Sequence, residues 1–256
     1  MRTIENVLAE IDELVTRYGV DELFFEDDQL IAKQRRTGDL FDAMASKFKL
    51  AWDTPNGVSP WLLNEEIVGK MKAAGCYRIN LAIESGNQYV LEKIINKPVK
   101  LKQIPELVRT IRKFGMEVNT FLVVGNIGKG GVETIEQIKE SFAFCRKARV
   151  FPHVSLLTAY PGSEVLDLAQ EKGYLIPNFE WDNLIIQKIQ IQTPEWTPQQ
   201  LLALVERERI KTRWWLFLTS PVDSISLVWG HLLREPLITL KKVIIFVRAS
   251  AERAFS

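Results

Sequence analysis

Helical and extended segments alternate along this chain, and this alternation restricts its fold more than any other feature. Apolar residues at spacings of three and four predict an amphipathic helix over residues 4–17. Five extended segments follow with helical stretches between them, at residues 20–27, 49–57, 78–86, 117–125 and 153–162. Strands that alternate with helices pair in parallel through right-handed crossovers. The sequence therefore predicts an α/β fold built on a parallel sheet.

Polar residues and glycines gather where each extended segment ends. In chain order these are Glu26, Asp27 and Asp28, then Asp53, Thr54 and Asn56, then Glu84, Ser85 and Gly86, then Gly125 and Asn126, and finally Tyr160, Pro161 and Gly162. Parallel barrels build their sites from the carboxyl ends of the strands. Turns also favour Asp, Asn, Gly and Pro. Glu is not a preferred turn residue, so Glu26 and Glu84 are the stronger functional candidates.

The balance of charge argues against a nucleic-acid partner. The chain carries 33 basic and 32 acidic side chains, with a formal net charge of +1. Such a chain has no overall field that would attract a polyanion. The N-terminal segment is charged and helical in period, unlike a signal peptide, so a cytoplasmic location is the default expectation.

The cysteines and histidines do not form a metal motif. Cys76 and Cys145 lie too far apart for a CxxC pair or for zinc-ligand spacing, and we interpret both as small buried thiols. His153 and His231 have no partner at ligand spacing. We therefore assign no metal ligand and no catalytic residue.

The pattern changes after about residue 175. Residues 183–193 alternate in part and predict a sixth strand or an edge strand, and Thr197 and Pro198 open a helix that continues through residue 218. We divide the chain into a barrel over residues 1–193 and a C-terminal helical tail over residues 194–256.

The tail is apolar and aromatic but too interrupted to span a bilayer. It contains WWLFL at 214–218 and PLITLKKVIIFVRA at 236–249, where Lys241, Lys242 and Arg248 break the apolar run. Its helices either pack on the barrel or on a partner chain, or lie on a membrane surface as a peripheral contact.

Four motifs in a fixed order resemble the radical S-adenosylmethionine (SAM) superfamily. They are FFEDD, WDTPNG, AIESG and AYPGSEVLDLAQEKGYL, and the resemblance extends from about Val20 to about Leu175. The chain is most similar to the branch that often carries an N-terminal cobalamin-binding domain. The family fold is a partial parallel (β/α) barrel of about six units, with a CxxxCxxC motif after the first strand. In this register LFFED is the second strand, so we expect a radical SAM barrel without its first strand.

The resemblance implies SAM, a four-iron four-sulfur cluster and, in the full-length protein, cobalamin. Neither cysteine matches the cluster motif, so the cluster is not expected to be ligated by this chain. The resemblance assigns cofactor binding to Glu26, Asp28, Glu84, Ser85, Gly125, Asn126, Tyr160, Pro161 and Gly162. Glu26 would meet the SAM amino group, and Glu84 and Ser85 the ribose and methionine moieties. In the loop that passes the adenine, family members commonly have a GxPGET-like motif, and this chain has GNIGKGG at residues 125–131.

Three further polar residues have less direct assignments. Asp53 and Asn56 either cap a turn or contact substrate, and Arg78 is interpreted as a surface or helix-capping residue. The substrate, a small or lipid-like molecule, is not identified by the residues.

Three functions of different classes follow. The chain is a fragment of a radical SAM enzyme, a non-catalytic SAM-binding subunit, or a membrane-surface scaffold. The nucleotide sequence upstream of Met1, SAM binding without iron, and vesicle binding that depends on residues 214–249 distinguish these three.

Overall fold

Helices and parallel strands alternate in a computed structural model of the chain, which describes residues 2–185 and 188–219. The helices are α1 (Ile4–Tyr18), α2 (Gln34–Lys47), α3 (Glu65–Ala73), α4 (Ile104–Lys113), α5 (Ile135–Ala148), α6 (Glu164–Glu171) and α7 (Pro198–Thr219). The strands are β1 (Glu22–Phe24), β2 (Ala51–Asp53), β3 (Arg78–Glu84), β4 (Glu117–Val124), β5 (Ile127–Gly128), β6 (Gly131–Val132) and β7 (Phe151–Leu156). Short 3-10 turns occur at Pro60–Leu62, Leu101–Gln103 and Trp181–Asn183, and a π-helix at Val90–Ile94.

Five of the strands run parallel in the order β1, β2, β3, β4 and β7. Strand β1 pairs with β2, and β3, β4 and β7 form a three-stranded sheet. Two parallel bridges, Trp52 with Cys76 and Val58 with Leu81, join the two sheets. All five predicted extended segments contain one of these strands, which confirms the predicted α/β fold with a parallel sheet.

Local signals explain where several helices begin and end. Thr3 caps α1, because its hydroxyl accepts a hydrogen bond from the Asn6 N–H, and Gly19 ends the helix with a φ of 65°. Helix α5 starts at a capping box in which Thr134 and Gln137 satisfy each other's backbone N–H groups. These caps set the start of α1 and α5 and the end of α1.

The sheet has an outer face packed on helices and an opposite face that we call the inner face. Ile79, Leu81 and Ile83 of β3 are fully buried in the core under the helices. The alternate residues of β3 point to the inner face, because side chains alternate along a strand. A second core cluster includes residues of β4, α5, β7 and α6, together with Trp196 and the first turns of α7.

The predicted strand at residues 183–193 is wrong for the residues that the structure describes there. Residues 181–183 form a 3-10 turn, and only Ile191 bridges, to Leu175 in antiparallel orientation. The pairing is confined to that one bridge, where the Ile176 N–H donates to the Gln190 carbonyl at 3.1 Å and the Gln192 N–H to the Tyr174 carbonyl at 2.7 Å. Before the bridge, the Gln190 side-chain amide bonds both backbone groups of Glu180 and holds the chain in a turn.

The predicted helix after Pro198 is confirmed as α7. It packs on α5 and β7, with Leu201, Leu204 and Val205 in the second core cluster. Within the described part of the chain, no helix is long and apolar enough to cross a membrane. The predicted segment at 236–249 and His231 lie outside the described residues, as do Ile186 and Gln187.

Candidate functional site

The loops after β1 and β2 are tied together at the carboxyl end of the sheet. The Asn56 side-chain amide donates a hydrogen bond to the Glu26 carbonyl oxygen at 2.9 Å. The side chains of Glu26 and Asp28 are exposed there. Asn56 therefore connects two loops in this structure, a role distinct from the turn cap and the substrate contact considered from the sequence.

Asp53 is buried on the inner face, where three neighbours satisfy its carboxylate. It is 1% exposed and accepts hydrogen bonds from the Thr54 N–H at 2.6 Å, the Arg78 Nε at 2.8 Å and the Asn80 side-chain amide at 3.2 Å. The bond from Thr54 is local to the turn after β2. The carboxylate is enclosed, and both alternatives for Asp53, a turn cap and a substrate contact, stay predictions.

The interpretation of Arg78 as a surface or helix-capping residue is wrong. Its guanidinium forms an ion pair with Asp53, and the side chain is only 24% exposed. The Trp52–Cys76 bridge offsets β2 so that Asp53 lies beside the first residue of β3. A carboxylate removed from water is stable only with such a partner.

Glu84 ends β3 in a strained backbone conformation. Its φ is 72°, and the pairing of β3 with β4 shifts register between Ala82 and Glu84. A non-glycine residue in this region costs about 1 kcal/mol or more, which the surrounding structure must offset. The side chain is 18% exposed, and one oxygen lies 3.5 Å from Nζ of Lys97. The strand end thus holds an acid and a base side by side, and sequence reasoning missed Lys97.

The Ser85 hydroxyl is turned toward helix α5. It is fully buried and lies 3.1 Å from the Ser141 hydroxyl, which also accepts a hydrogen bond from the Gly86 N–H at 2.9 Å. In this conformation Ser85 joins β3 to α5 and does not reach the inner face. Its predicted part in cofactor binding stays a prediction.

A buried carboxylate holds the loop after β4. Oε2 of Glu133 accepts hydrogen bonds from the N–H groups of Gly125 and Asn126, both at 3.0 Å, and from the Asn126 side chain at 2.9 Å. Its other oxygen, Oε1, has no hydrogen-bond partner, and the residue is fully buried. Burial raises the pKa of Glu133 to about 7, although these donors oppose the rise.

The extra glycines of this loop form a small hairpin of β5 and β6. The hairpin begins after Asn126 and ends before Glu133. The Glu133 N–H donates to the Asn126 carbonyl at 2.8 Å and closes its base. A Cβ atom on Gly128 would lie 2.0 Å from the carbonyl oxygen of Ile94, so the hairpin backbone packs directly on the π-helix. Sequence reasoning missed Glu133. The Thr134–Gln137 capping box is the signal that places it just before α5.

The loop after β7 is exposed at all of its predicted positions. Tyr160, Pro161 and Gly162 are all exposed, with Tyr160 48% exposed. The Ser163 hydroxyl donates to the Tyr160 carbonyl at 2.6 Å and fixes the turn before α6. Three predicted sites thus lie at the carboxyl ends of the neighbouring strands β3, β4 and β7: Glu84, the Gly125–Asn126 loop and this loop.

Both cysteines are buried thiols, as the sequence predicted. Burial raises the pKa of each to about 12, and the Cys76 Sγ donates to the Arg78 carbonyl at 3.2 Å. Among the described residues, no three His, Cys, Asp or Glu side chains are arranged to hold a metal ion.

Comparison with known proteins identifies the family that this geometry fits. The sequence profile of the Radical SAM superfamily matches residues 1–145. Cytidylyl-2-hydroxyethylphosphonate methyltransferase of Streptomyces wedmorensis is 33% identical over 181 residues, which cover 69% of this chain and 33% of that protein. An uncharacterized methyltransferase of Pyrococcus horikoshii is 24% identical over 231 residues, which cover 90% of this chain and 48% of that protein.

A solved structure has a similar fold. The radical SAM methyltransferase TsrM from Kitasatospora setae, with cobalamin and a [4Fe-4S] cluster bound, matches with a TM-score of 0.58 at 16% identity. The match covers 68% of this chain and 35% of TsrM. The chain thus spans between a third and a half of the length of these three proteins.

Proposed function

The chain belongs to the radical SAM superfamily, and we propose that it forms the SAM-binding part of a radical SAM methyltransferase. Two curated relatives are methyltransferases, and the first is 33% identical over 181 residues. The observation that carries the proposal is the pairing of Glu84 with Lys97 at the carboxyl end of β3. SAM, when bound, supplies an activated methyl or adenosyl group.

The Glu84–Lys97 pair suits the amino-acid end of SAM. That end is a zwitterion, and Glu84 offers a carboxylate for its ammonium while Lys97 offers an ammonium for its carboxylate. The strained φ of Glu84 supports a functional role, because strain of this kind persists mainly where a site requires it. The loop that Glu133 holds and the exposed Tyr160 loop follow the next two strands of the sheet, β4 and β7.

The thiols of this chain do not fit an iron-sulfur cluster. Such clusters require several accessible thiolates. Cys76 and Cys145 are buried, and burial raises the pKa of both to about 12. We assign no residue of these 256 to the cluster or to cobalamin, and the proposal is limited to binding SAM.

We further propose that β1 accepts another parallel strand at its free edge. Among the described residues β1 pairs only with β2, and Phe24 is 56% exposed. An open edge of this kind exposes backbone donors and acceptors. This free edge supports the arrangement that the sequence predicted, a partial barrel without its first strand.

Calorimetric titration of the chain with SAM tests the proposal. Glu84→Gln and Lys97→Met should each weaken SAM binding about tenfold, the effect of losing one charge-assisted hydrogen bond. The exposed Glu92–Lys100 pair, at 3.2 Å, provides matched controls, and Glu92→Gln and Lys100→Met should leave the affinity unchanged. Equal losses in both pairs, or no SAM binding by the folded chain, would contradict the proposal.

A further inference from the structure

A β-bulge changes the direction of the side chains at the carboxyl end of β3. The register of β3 against β4 shifts between Ala82 and Glu84, and Glu84 has a φ of 72°. Bulges re-aim side chains, and the left-handed position in them is usually a glycine. Here the Glu84 carboxylate lies 3.5 Å from Nζ of Lys97, while Ser85 is fully buried. The direction of Glu84 therefore depends on what holds the turn that follows it.

Helix α5 holds this turn through the hydroxyl of Ser141, which is 1% exposed. The Ser141 Oγ accepts a hydrogen bond from the Gly86 N–H at 2.9 Å and donates one to the Gln137 carbonyl at 3.1 Å. Because its proton is used in that bond, Ser85 is the donor in the contact between the two hydroxyls at 3.1 Å. The Ser85 Oγ in turn accepts from the Asn87 N–H at 3.2 Å. One serine of α5 thus satisfies two residues of the turn.

The backbone of the turn and its last residue also contact α5. A Cβ atom on Gly86 would lie 2.6 Å from the Ser141 Cα, so the turn fits against the helix only with glycine there. The Asn87 side chain donates to the Glu140 carboxylate at 2.5 Å and accepts from the Val90 N–H at 3.0 Å. All three residues after Glu84 are therefore fixed by one face of α5.

We propose that Ser141 is a positioning residue of the SAM site, which acts by holding Glu84 in its left-handed conformation. The inference rests on the proposed function, because Glu84 is the group that the proposed function places against SAM. A left-handed glutamate is unfavourable in itself, so it persists only while the hydrogen bonds around it are intact. Without the Ser141 hydroxyl, the Gly86 N–H loses its partner, and a rearrangement of the turn moves the carboxylate away from Lys97.

Calorimetric titration with SAM tests this role. Ser141→Ala should weaken SAM binding about fivefold, the effect of one hydrogen bond made less well by Glu84. Thr120→Val is the matched control, because the Thr120 hydroxyl is equally buried and donates to the Leu81 carbonyl, before the bulge, at 2.9 Å. It should change the SAM affinity by less than about twofold, as should Ser141→Ala in a Glu84→Ala background, where no carboxylate remains to be positioned.

The backbone NMR signals of Glu84, recorded without SAM, report its conformation directly. They should shift in Ser141→Ala and stay in place in Thr120→Val, although both variants lose a buried hydroxyl. If Ser141→Ala does not fold, Glu140→Ala should move the same signals, because it releases the Asn87 side chain from an exposed position.

Two results would overturn this inference alone: Glu84 signals that stay in place in the folded variant, or wild-type SAM binding that Ser141→Ala leaves unchanged. Equal weakening by Ser141→Ala and Thr120→Val would also overturn it, since loss of stability would then account for both. Failure of the wild type to bind SAM would overturn the proposed function and this inference together.

Discussion

Glu133 accepts two hydrogen bonds from Asn126, one from its backbone N–H at 3.0 Å and one from its side chain at 2.9 Å. The Trp196 indole N–H donates to the Glu133 carbonyl at 2.9 Å, and the Trp196 ring packs against Gly125. The segment before α7 thus closes over the loop after β4. Two parts of the chain about 60 residues apart hold one strand end in place.

The raised pKa of Glu133 predicts a pH dependence of stability. In the folded chain its pKa is about 7, above the ordinary value of 4.5, so the folded state holds the proton more tightly than the unfolded state. Stability from this group is therefore complete below pH 4.5 and is lost as pH rises through 7. Between pH 5 and pH 8 we expect the unfolding free energy of the wild type to fall by about 2 to 3 kcal/mol relative to that of Glu133→Gln.

Urea denaturation of the wild type and of Glu133→Gln, each at pH 5 and at pH 8, measures this difference in unfolding free energy. Glu136→Gln, at an exposed acid in the first turn of α5, serves as the control and should track the wild type. Parallel stability curves for wild type and Glu133→Gln would show that the carboxylate stays ionised in the fold, against this expectation.

The sequence predicted the elements of the sheet because their signals are local. Apolar alternation and glycine stops identified all five parallel strands, and Thr197 with Pro198 identified the start of α7. The order of motifs also identified the family. Glu84 was singled out as a candidate because Glu is not a preferred turn residue, and its role stays a prediction.

The sequence did not predict which side chains meet, because those contacts depend on register. Arg78 meets Asp53 only because β2 is offset against β3, and Ser85 meets Ser141 across 56 residues. Lys97 reaches Glu84 through the π-helix and the turn after it. Periodicity along the chain carries no information about such distances.

A buried ion pair joins α7 to α5, and breaking it should destabilise the chain. Arg146 donates to Glu208 at 2.8 Å and to the Thr212 hydroxyl at 2.9 Å, with side-chain exposures of 14% and 6% for the two charged residues. Arg146→Met leaves Glu208 buried without this partner, at a cost of about 3 kcal/mol. Lys211→Met removes only an exposed charge 3.8 Å from Glu208 and should cost less than about 0.5 kcal/mol. Equal losses of unfolding free energy in the two variants would refute the difference assigned to burial.

The hairpin of β5 and β6 should not tolerate a side chain at Gly128. A Cβ there would lie 2.0 Å from the Ile94 carbonyl oxygen, so the hairpin must move off the π-helix. We expect Gly128→Ala to lower the unfolding free energy by about 1 to 3 kcal/mol. Gly69→Ala in α3 is the opposite case, since its Cβ would meet Phe114 at an ordinary 3.4 Å and alanine favours a helix by about 0.5 to 1 kcal/mol. Thermal melts in which the two variants shift Tm in the same direction would contradict this account.

Thiol reactivity should report whether both cysteines stay in the core. Only thiolates react rapidly with disulfide reagents, and with pKa values of about 12 almost none is present at pH 8. The native chain should therefore release no colour with an aromatic disulfide reagent within minutes, and both thiols should react in urea. An Ala45→Cys variant, at an exposed position of helix α2, provides one accessible thiol as a positive control. Rapid reaction of Cys76 in the native chain would show that the chain opens at the Trp52–Cys76 bridge, because Cys76 is itself one of the two bridging residues.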